Sequence, residues 1–218
     1  AFLDSDDRYL PDGLTILLSA LQSSGRKVKL VYANFIKYFQ GDDRYQRTRV
    51  VPPRSRPGLY FQYLIPGGNP IAPCACLLER NALDLIGSFD SRFDFIEDRE
   101  LWSRLVRCYD VVHVETPVAV YRKHEHQVSR QRAVRRLAND RQFHMFFCSM
   151  PLSEWLPQAV GAEAEASALD ELARIILGRP DPPLDSALSL LRLAQQRSPM
   201  SRRQALITEL EVNIPRIL

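Results

Sequence analysis

Strand-like and helix-like segments alternate over the first 130 residues of this chain, and the strand signals then stop. Short runs rich in apolar, branched and aromatic residues predict strands, whereas apolar residues repeated at helical spacing predict helices. The predicted strands cover residues 1–3, 28–39, 74–78, 111–114 and 118–121. The second of these is either one strand or a strand with a turn near Asn34.

The predicted helices begin with one that starts at Pro11 and continue on both sides of residue 130. The later ones cover 81–86, 97–106, 131–150, 162–177, 184–196 and 201–212. Turn residues dominate a long excursion over residues 40–73. We therefore predict an α/β part over residues 1–130, a mixed sheet with flanking helices, followed by an all-helical extension over 131–218 that is broken at 178–183.

The composition excludes several classes of protein. With 45% hydrophobic and 25% charged residues the chain is neither disordered nor a coiled coil, and no stretch is long and apolar enough for a membrane-spanning helix. A net charge of +3 is too small to indicate nucleic-acid binding. Four cysteines do not make a disulfide scaffold, and no secretory signal is visible. A cytoplasmic location is the resulting prediction.

Three carboxylates follow the first apolar run directly: Asp4, Asp6 and Asp7. Carboxylates this close repel one another unless a cation lies between them. Their hard oxygens suit Mg²⁺ or Mn²⁺, especially when substrate phosphates complete the coordination shell. The alternative is that Asp6 or Asp7 caps the following helix, which accounts for one carboxylate but not for three. We therefore predict a divalent-metal site at the end of this run.

A second pair of carboxylates, Glu97 and Asp98, precedes an apolar helix face that includes Leu101 and Trp102. A carboxylate at a helix N-terminus is stabilised by the helix dipole and can act as a general base when it reaches a hydroxyl group. Simple capping of the helix is the alternative, and these residues taken alone favour it.

A basic segment follows the last predicted strand and contains Arg122, Lys123 and His124. The two cations can neutralise a diphosphate, and the imidazole can ligate a metal or bind phosphate. A solvated basic surface is the alternative. Cys74 and Cys76 lie on an apolar run without a second cysteine pair, so we predict buried thiols there and not zinc ligands.

Taken in this order, these motifs resemble the family 2 glycosyltransferases of the GT-A fold. Residues 2–7, with Pro11 and Leu14 after them, resemble the DxD strand of that family and the helix that follows it. Residues 87–90 are similar to its Gly-Gly-Phe-Asp turn and residues 97–105 to its Glu-Asp-x-x-Leu-Trp-x-Arg-Leu helix. Residues 121–124, with Ser129, are similar to its Tyr-Arg-x-His segment. The resemblance covers residues 1–130 and no part of the extension.

The resemblance implies a metal-dependent, inverting transfer of a sugar from a nucleotide-sugar to an acceptor hydroxyl, in polysaccharide or glycoconjugate assembly. The acceptor would be a saccharide or a lipid-linked molecule. Asp6 would ligate the divalent metal together with Asp4 and His124. The donor would be contacted by Asp4, Asp7, Arg122 and His124. Asp98 would be the catalytic base, with Glu97 beside it.

One departure from the family concerns the start of the chain. A nucleotide-binding part precedes the DxD strand in that family, whereas nothing precedes Ala1 in this sequence. The expectation is therefore a C-terminal part of a catalytic domain that, in isolation, binds donor poorly and turns over little. Arg99 stands where the family often has an aromatic residue, and this bears on acceptor preference.

Two other function classes stay open. A nucleotidyltransferase on a similar fold also uses a metal and carboxylates, although the helix around Trp102 argues against it. A non-catalytic interaction module would instead use the basic extension, which could contact an acidic partner or the anionic inner face of a membrane. A solvated face, with nearby phenylalanines packed on the main domain, is the alternative for these arginines, at positions 130, 132, 135, 136 and 141.

Overall fold

The computed structural model describes residues 1–49, 69–93, 96–127, 150–156, 159–178 and 184–213. The chain divides into two compact units, residues 1–140 and 141–218. Within the described residues the first unit is mixed α/β, with seven strands in two mixed sheets and three helices, and the second unit contains four helices. The mixed α/β class predicted from the sequence is confirmed. The predicted helix over 131–150 and most of the loop over 40–73 lie outside the described residues.

The elements of the first unit alternate along the chain. Its strands are β1 Arg8–Tyr9, β2 Val28–Ala33, β3 Ile36–Phe39, β4 Arg44–Arg47, β5 Cys76–Leu78, β6 Asp110–Val114 and β7 Ala119–Lys123. Its helices are α1 Gly13–Ser23, α2 Arg80–Ile86 and α3 Glu97–Cys108. Short 3₁₀ turns cover Gln40–Asp42, Pro73–Ala75 and Ser91–Phe93.

The chain passes from one sheet to the other twice, from β2 to β3 and from β6 to β7. The four-stranded sheet has the order β1-β7-β3-β4 and the three-stranded sheet the order β5-β2-β6. β2 runs parallel to β6, and β3 runs parallel to β7. Between them Asn34 donates its backbone N–H to the Val114 carbonyl at 3.1 Å and accepts the Val118 N–H at 3.1 Å. Residues 28–39 are therefore two strands with a break at Asn34 and Phe35, so the predicted interruption near Asn34 is confirmed, although these two residues do not form a turn.

The core of the first unit lies between α1 and the two sheets. Leu17 of α1 packs with Val31, Cys74, Val118 and other buried residues in one cluster. Cys74 and Cys76 are buried, as the sequence predicts. The apolar face of α3 is confirmed too, since four of its side chains are fully buried: Leu101, Trp102, Leu105 and Val106.

Two local predictions are wrong and a third is correct only in part. Residues 1–3 form no strand, because the Asp/Ser-rich segment after them makes a turn in which the Asp7 N–H reaches the Asp4 carbonyl at 3.1 Å. The first helix begins at Gly13 and not at Pro11. The run from Cys74 to Leu78 is half 3₁₀ turn and half strand, because Pro73 at its start favours a helical turn.

Helices are the regular elements of the second unit among its described residues. Its helices are α4 Leu152–Trp155, α5 Ala162–Leu177, α6 Leu184–Arg197 and α7 Ser201–Asn213. Leucine and alanine side chains form its core, and Arg203 of α7 is buried among them with a two-pronged ion pair to Asp170 of α5 at 2.7 and 2.5 Å. No helix among the residues that the structure describes is long and apolar enough to cross a bilayer.

Candidate active site

The pairing of β1 with β7 brings the acidic and basic motifs together. These strands are antiparallel, and Arg8 lies opposite Val120. Residues that precede β1 therefore lie beside residues at the end of β7. The backbone N–H of Arg122 donates to Asp7 Oδ1 at 2.9 Å, which fixes this alignment at its outer end. Two segments more than a hundred positions apart thus form one site.

Asp6 and His124 are in direct contact at this site. The Asp6 Oδ2 and His124 Nε2 atoms are 2.9 Å apart, and both side chains are partly exposed. The hydrogen bond from His124 lowers the pKa of Asp6, and this outweighs the effect of partial burial, which raises it. An oxygen and a nitrogen donor at this separation can bind one cation.

Asp7 has a different environment from Asp6. Burial raises the pKa of its carboxyl group, and the hydrogen bond from the Arg122 N–H opposes this effect. Its second oxygen, Oδ2, is buried near the Cys74 thiol and meets no well-aligned donor among the described residues. Asp7 therefore faces inward and supports the site, whereas Asp6 faces its open side.

Asp4 is exposed at the start of the turn. Across the described part of the chain, no three His, Cys, Asp or Glu side chains come together as a group that could hold a metal ion. The structure thus brings together two of the three predicted metal ligands, Asp6 and His124. The capping alternative for Asp6 and Asp7 is wrong, because the residue before α1 is Asp12, which caps no backbone N–H with its side chain.

Arg122 is held in place from three directions. Its guanidinium donates to the Gln40 Oε1 atom at 3.1 and 2.7 Å, and its carbonyl accepts from the Gln127 side-chain amide at 2.6 Å. The guanidinium is thus oriented by a neutral amide, so its charge can act on an anionic ligand. Next to it, Lys123 stacks its ammonium over the Tyr121 ring at 4.6 Å from the centroid.

Asp98 lies in the first turn of α3, and both of its oxygens are oriented. Oδ1 accepts the Arg99 backbone N–H at 2.6 Å, and Oδ2 accepts from the Asn69 side-chain amide at 2.7 Å. Burial raises the pKa of Asp98 to about 6, and the negative charge of the exposed Glu97 adds to the shift. Only Oδ1 accepts a backbone N–H of the helix, so the capping alternative accounts for one of the two oxygens. The raised pKa makes Asp98 a stronger base than an ordinary aspartate.

The N-terminus of α3 is fixed by its contact with α2. Arg104 forms an ion pair with Glu100 at 2.7 Å and donates to the carbonyls of Ile86, Gly87 and Ser88. Gly87, with a positive φ of 83°, ends α2 as the sequence predicts and turns these carbonyls toward the arginine. The Glu-Asp helix is therefore held against the preceding turn.

A ring contact links α3, which carries Asp98, with the residues before the acidic turn. The Phe2 ring packs edge-on against Trp102 of α3, with centroids 5.9 Å apart. Burial raises the pKa of Cys76 to about 12 and also raises the pKa of Cys74, as expected for thiols in a core.

The sequence does not predict three residues of this site: Asn69, Gln40 and Gln127. Each is an amide that orients a charged partner, and two of the partners are distant in the chain, 29 and 82 positions away. Asn69 is visible in the sequence only as part of an Asn-Pro turn signal. A side-chain amide has no periodicity or motif of its own, so only the fold reveals these contacts.

A scan of this chain against models of protein families finds no match, and a search among curated proteins finds none.

Proposed function

We propose that this chain carries the metal-binding and acceptor-activating side of an inverting glycosyltransferase of the GT-A type. The contact between Asp6 and His124 supports this proposal most strongly, because it joins two of the motifs that resemble the family, with Arg122 beside them. The mixed sheets with flanking helices are compatible with that fold. The donor would be a nucleotide-sugar and the acceptor a hydroxyl group.

Asp6 and His124 would hold a divalent cation, with Asp4 in the adjacent turn. Two protein ligands are enough, because Mg²⁺ and its relatives often keep waters and take their remaining ligands from substrate phosphates. A bound cation would neutralise charge on the departing nucleoside diphosphate. Arg122 adds a fixed positive charge beside this pair, and Asp7 holds the Arg122 backbone in place.

Asp98 would accept the proton of the acceptor hydroxyl. The hydroxyl oxygen forms a bond to the anomeric carbon as the bond from that carbon to the diphosphate breaks on the opposite face, and the proton passes to Asp98. A pKa of about 6 leaves this carboxylate mostly ionised at neutral pH while making it more basic than usual. Asn69 and the Arg99 N–H orient the two oxygens, and Glu97 keeps the local potential negative.

The test is release of nucleoside diphosphate from a panel of nucleotide-sugars with Mn²⁺, using this chain with any flanking sequence that its gene encodes. Asp98→Asn should lower the turnover rate by about 100-fold or more. The control is Asp84→Asn, an exposed aspartate on α2, which should leave the rate unchanged. The wild-type rate should rise with pH around a midpoint of about 6, because the base must be ionised.

Equal rates for Asp98→Asn and wild type would remove Asp98 from the mechanism. Product analysis separates this proposal from a nucleotidyltransferase. A glycosyltransferase consumes the nucleotide-sugar, whereas a nucleotidyltransferase makes it, so accumulation of sugar nucleotide would contradict the proposal.

A further inference from the structure

The four-stranded sheet carries an aromatic pair on the same face as Arg122. In the strand register, Tyr38 of β3 lies opposite Tyr45 of β4 and opposite Arg122 of β7. Side chains at registered positions project from one face of a sheet. The two tyrosine rings stack with centroids 4.7 Å apart and planes 25° apart. We call this side of the sheet, defined by Tyr38, Tyr45 and Arg122, the tyrosine face.

The tyrosine face is accessible at β4 and carries cations. Tyr45 is 54% exposed although it stacks on Tyr38. Arg47 stands two positions further along β4, is exposed, and belongs to the same face by strand alternation. Arg122 contributes a guanidinium that a neutral amide orients. Arg47 therefore lies beside Tyr45 along β4, and Arg122 lies across the sheet on the other side of Tyr38.

This combination fits a sugar that bears an acidic group. A tyrosine ring offers an apolar surface and a polar hydroxyl, which suits a ligand that has an apolar face and polar hydroxyl groups, such as a pyranose ring. Guanidinium groups bind carboxylate and phosphate groups with two parallel hydrogen bonds. Neighbouring strands lie about 4.8 Å apart, so the distance from Tyr45 across β3 to Arg122 is about 10 Å, which calls for a chain of sugars and not for one ring.

We propose that the tyrosine face binds an acidic saccharide chain and leads it toward the site at Asp6 and His124. This inference rests on the proposed function, because it identifies the chain as the acceptor of the sugar transfer. Arg122 connects the two regions, since its backbone N–H donates to Asp7 and it stands two positions before His124. The saccharide lies over Tyr45 with an acidic group at Arg47, and its reacting end extends toward Arg122, whose guanidinium binds the diphosphate of the donor.

The test is a titration of the 218-residue chain with tetragalacturonate, in which binding is measured by calorimetry and by NMR chemical-shift changes. Neutral maltotetraose is the comparison ligand. Tyr45→Ala should weaken the binding of tetragalacturonate about tenfold, and Arg47→Gln should weaken it to a similar extent. The charge-matched control is Arg44→Gln on the same strand. Arg44 projects from the opposite face, where it stacks on Phe39 at 4.1 Å, and its replacement should change affinity by less than about twofold.

Any one of four results would overturn the proposal. The first three are equal losses for Arg44→Gln and Arg47→Gln, equal affinity for maltotetraose, and displacement of the acidic saccharide from Tyr45 by uridine diphosphate, which would make this a nucleotide site. Absence of tetragalacturonate binding at millimolar concentration would overturn it too. Thermal melting checks the fold of each variant. If Tyr45→Ala is destabilised, the affinities of Arg47→Gln and Arg44→Gln for the saccharide are compared instead. The titration contains neither metal nor donor, so saccharide binding without sugar transfer would count against the proposed function alone.

Discussion

Asp6, Asp7 and Asp98 carry the same chemical group in three environments, and their expected roles differ for that reason. Asp6 is partly exposed, and the contact with His124 lowers its pKa, which favours an ionised ligand. Burial raises the pKa of Asp7, which faces the core. Burial raises the pKa of Asp98 to about 6, which favours proton transfer. Sequence reasoning identifies all three carboxylates but cannot rank their basicity, because burial depends on the fold.

The raised pKa of Asp98 predicts a pH-dependent effect on stability. Because the folded state binds this proton more tightly than the unfolded state, ionising Asp98 costs stability as pH rises from about 4 to above 6. Asn cannot titrate. The free energy of unfolding of Asp98→Asn, relative to wild type, should therefore increase by about 2 kcal/mol between pH 4 and pH 8.

Urea unfolding at several pH values measures this difference. The offset at any single pH includes the altered hydrogen bond to Asn69, so only the change with pH tests the prediction. Asp84→Asn, at an exposed position, serves as the control. A constant difference between Asp98→Asn and wild type across the range would mean that Asp98 is not buried enough to act as proposed.

At the scale of elements, the site depends on how closely α1 approaches the strand connection before β7. The Leu10 N–H donates to the Val118 carbonyl at 2.9 Å, and a Cβ on Gly13 would lie only 2.1 Å from that oxygen. Only glycine allows α1 to begin there. The apolar spacing of the helix is visible in the sequence. Its true start is not, because that start is set by a carbonyl more than a hundred positions away.

Gly13→Ala should therefore destabilise the first unit by about 2 kcal/mol or more, since the backbone must shift to relieve the clash. Gly25→Ala is the matched control, because a Cβ at Gly25 meets nothing within 4 Å. Thermal unfolding compares the two variants. Equal melting temperatures would show that α1 does not approach the Val118 carbonyl closely enough to exclude a side chain at position 13.

The second unit depends on one buried arginine in the same way. Arg203 is 4% exposed and binds Asp170 through both prongs of its guanidinium, whereas the pair of Arg192 and Glu211 lies on the surface. Arg203→Met should cost about 2–3 kcal/mol, because it leaves Asp170 without its cation. Arg192→Met should cost less than about 1 kcal/mol. Chemical denaturation measures both, and similar losses would contradict a special role for Arg203.

At the scale of the whole molecule, the sequence predicts elements better than it predicts their partners. Helices α5, α6 and α7 and the buried face of α3 follow from apolar periodicity, which is a local property, whereas the short helix α4 is not predicted. The strand expected at residues 1–3 is absent, because apolar character alone supplies no neighbour with which to pair. The convergence of Asp6 with His124 follows from the β1–β7 register, and the amide of Asn69 has no sequence signal.

The central claim concerns a divalent cation and a diphosphate held together at Asp6, His124 and Arg122. The most direct measurement is a titration of Mn²⁺ into the protein with and without inorganic pyrophosphate, in which electron paramagnetic resonance measures the binding of Mn²⁺. Pyrophosphate is the suitable probe because these residues would contact phosphates and not a nucleobase. Mn²⁺ should bind more tightly when pyrophosphate is present, and Asp6→Asn should remove that gain while Asp84→Asn retains it. If the affinity for Mn²⁺ changes neither on addition of pyrophosphate nor in Asp6→Asn, the result would contradict the account.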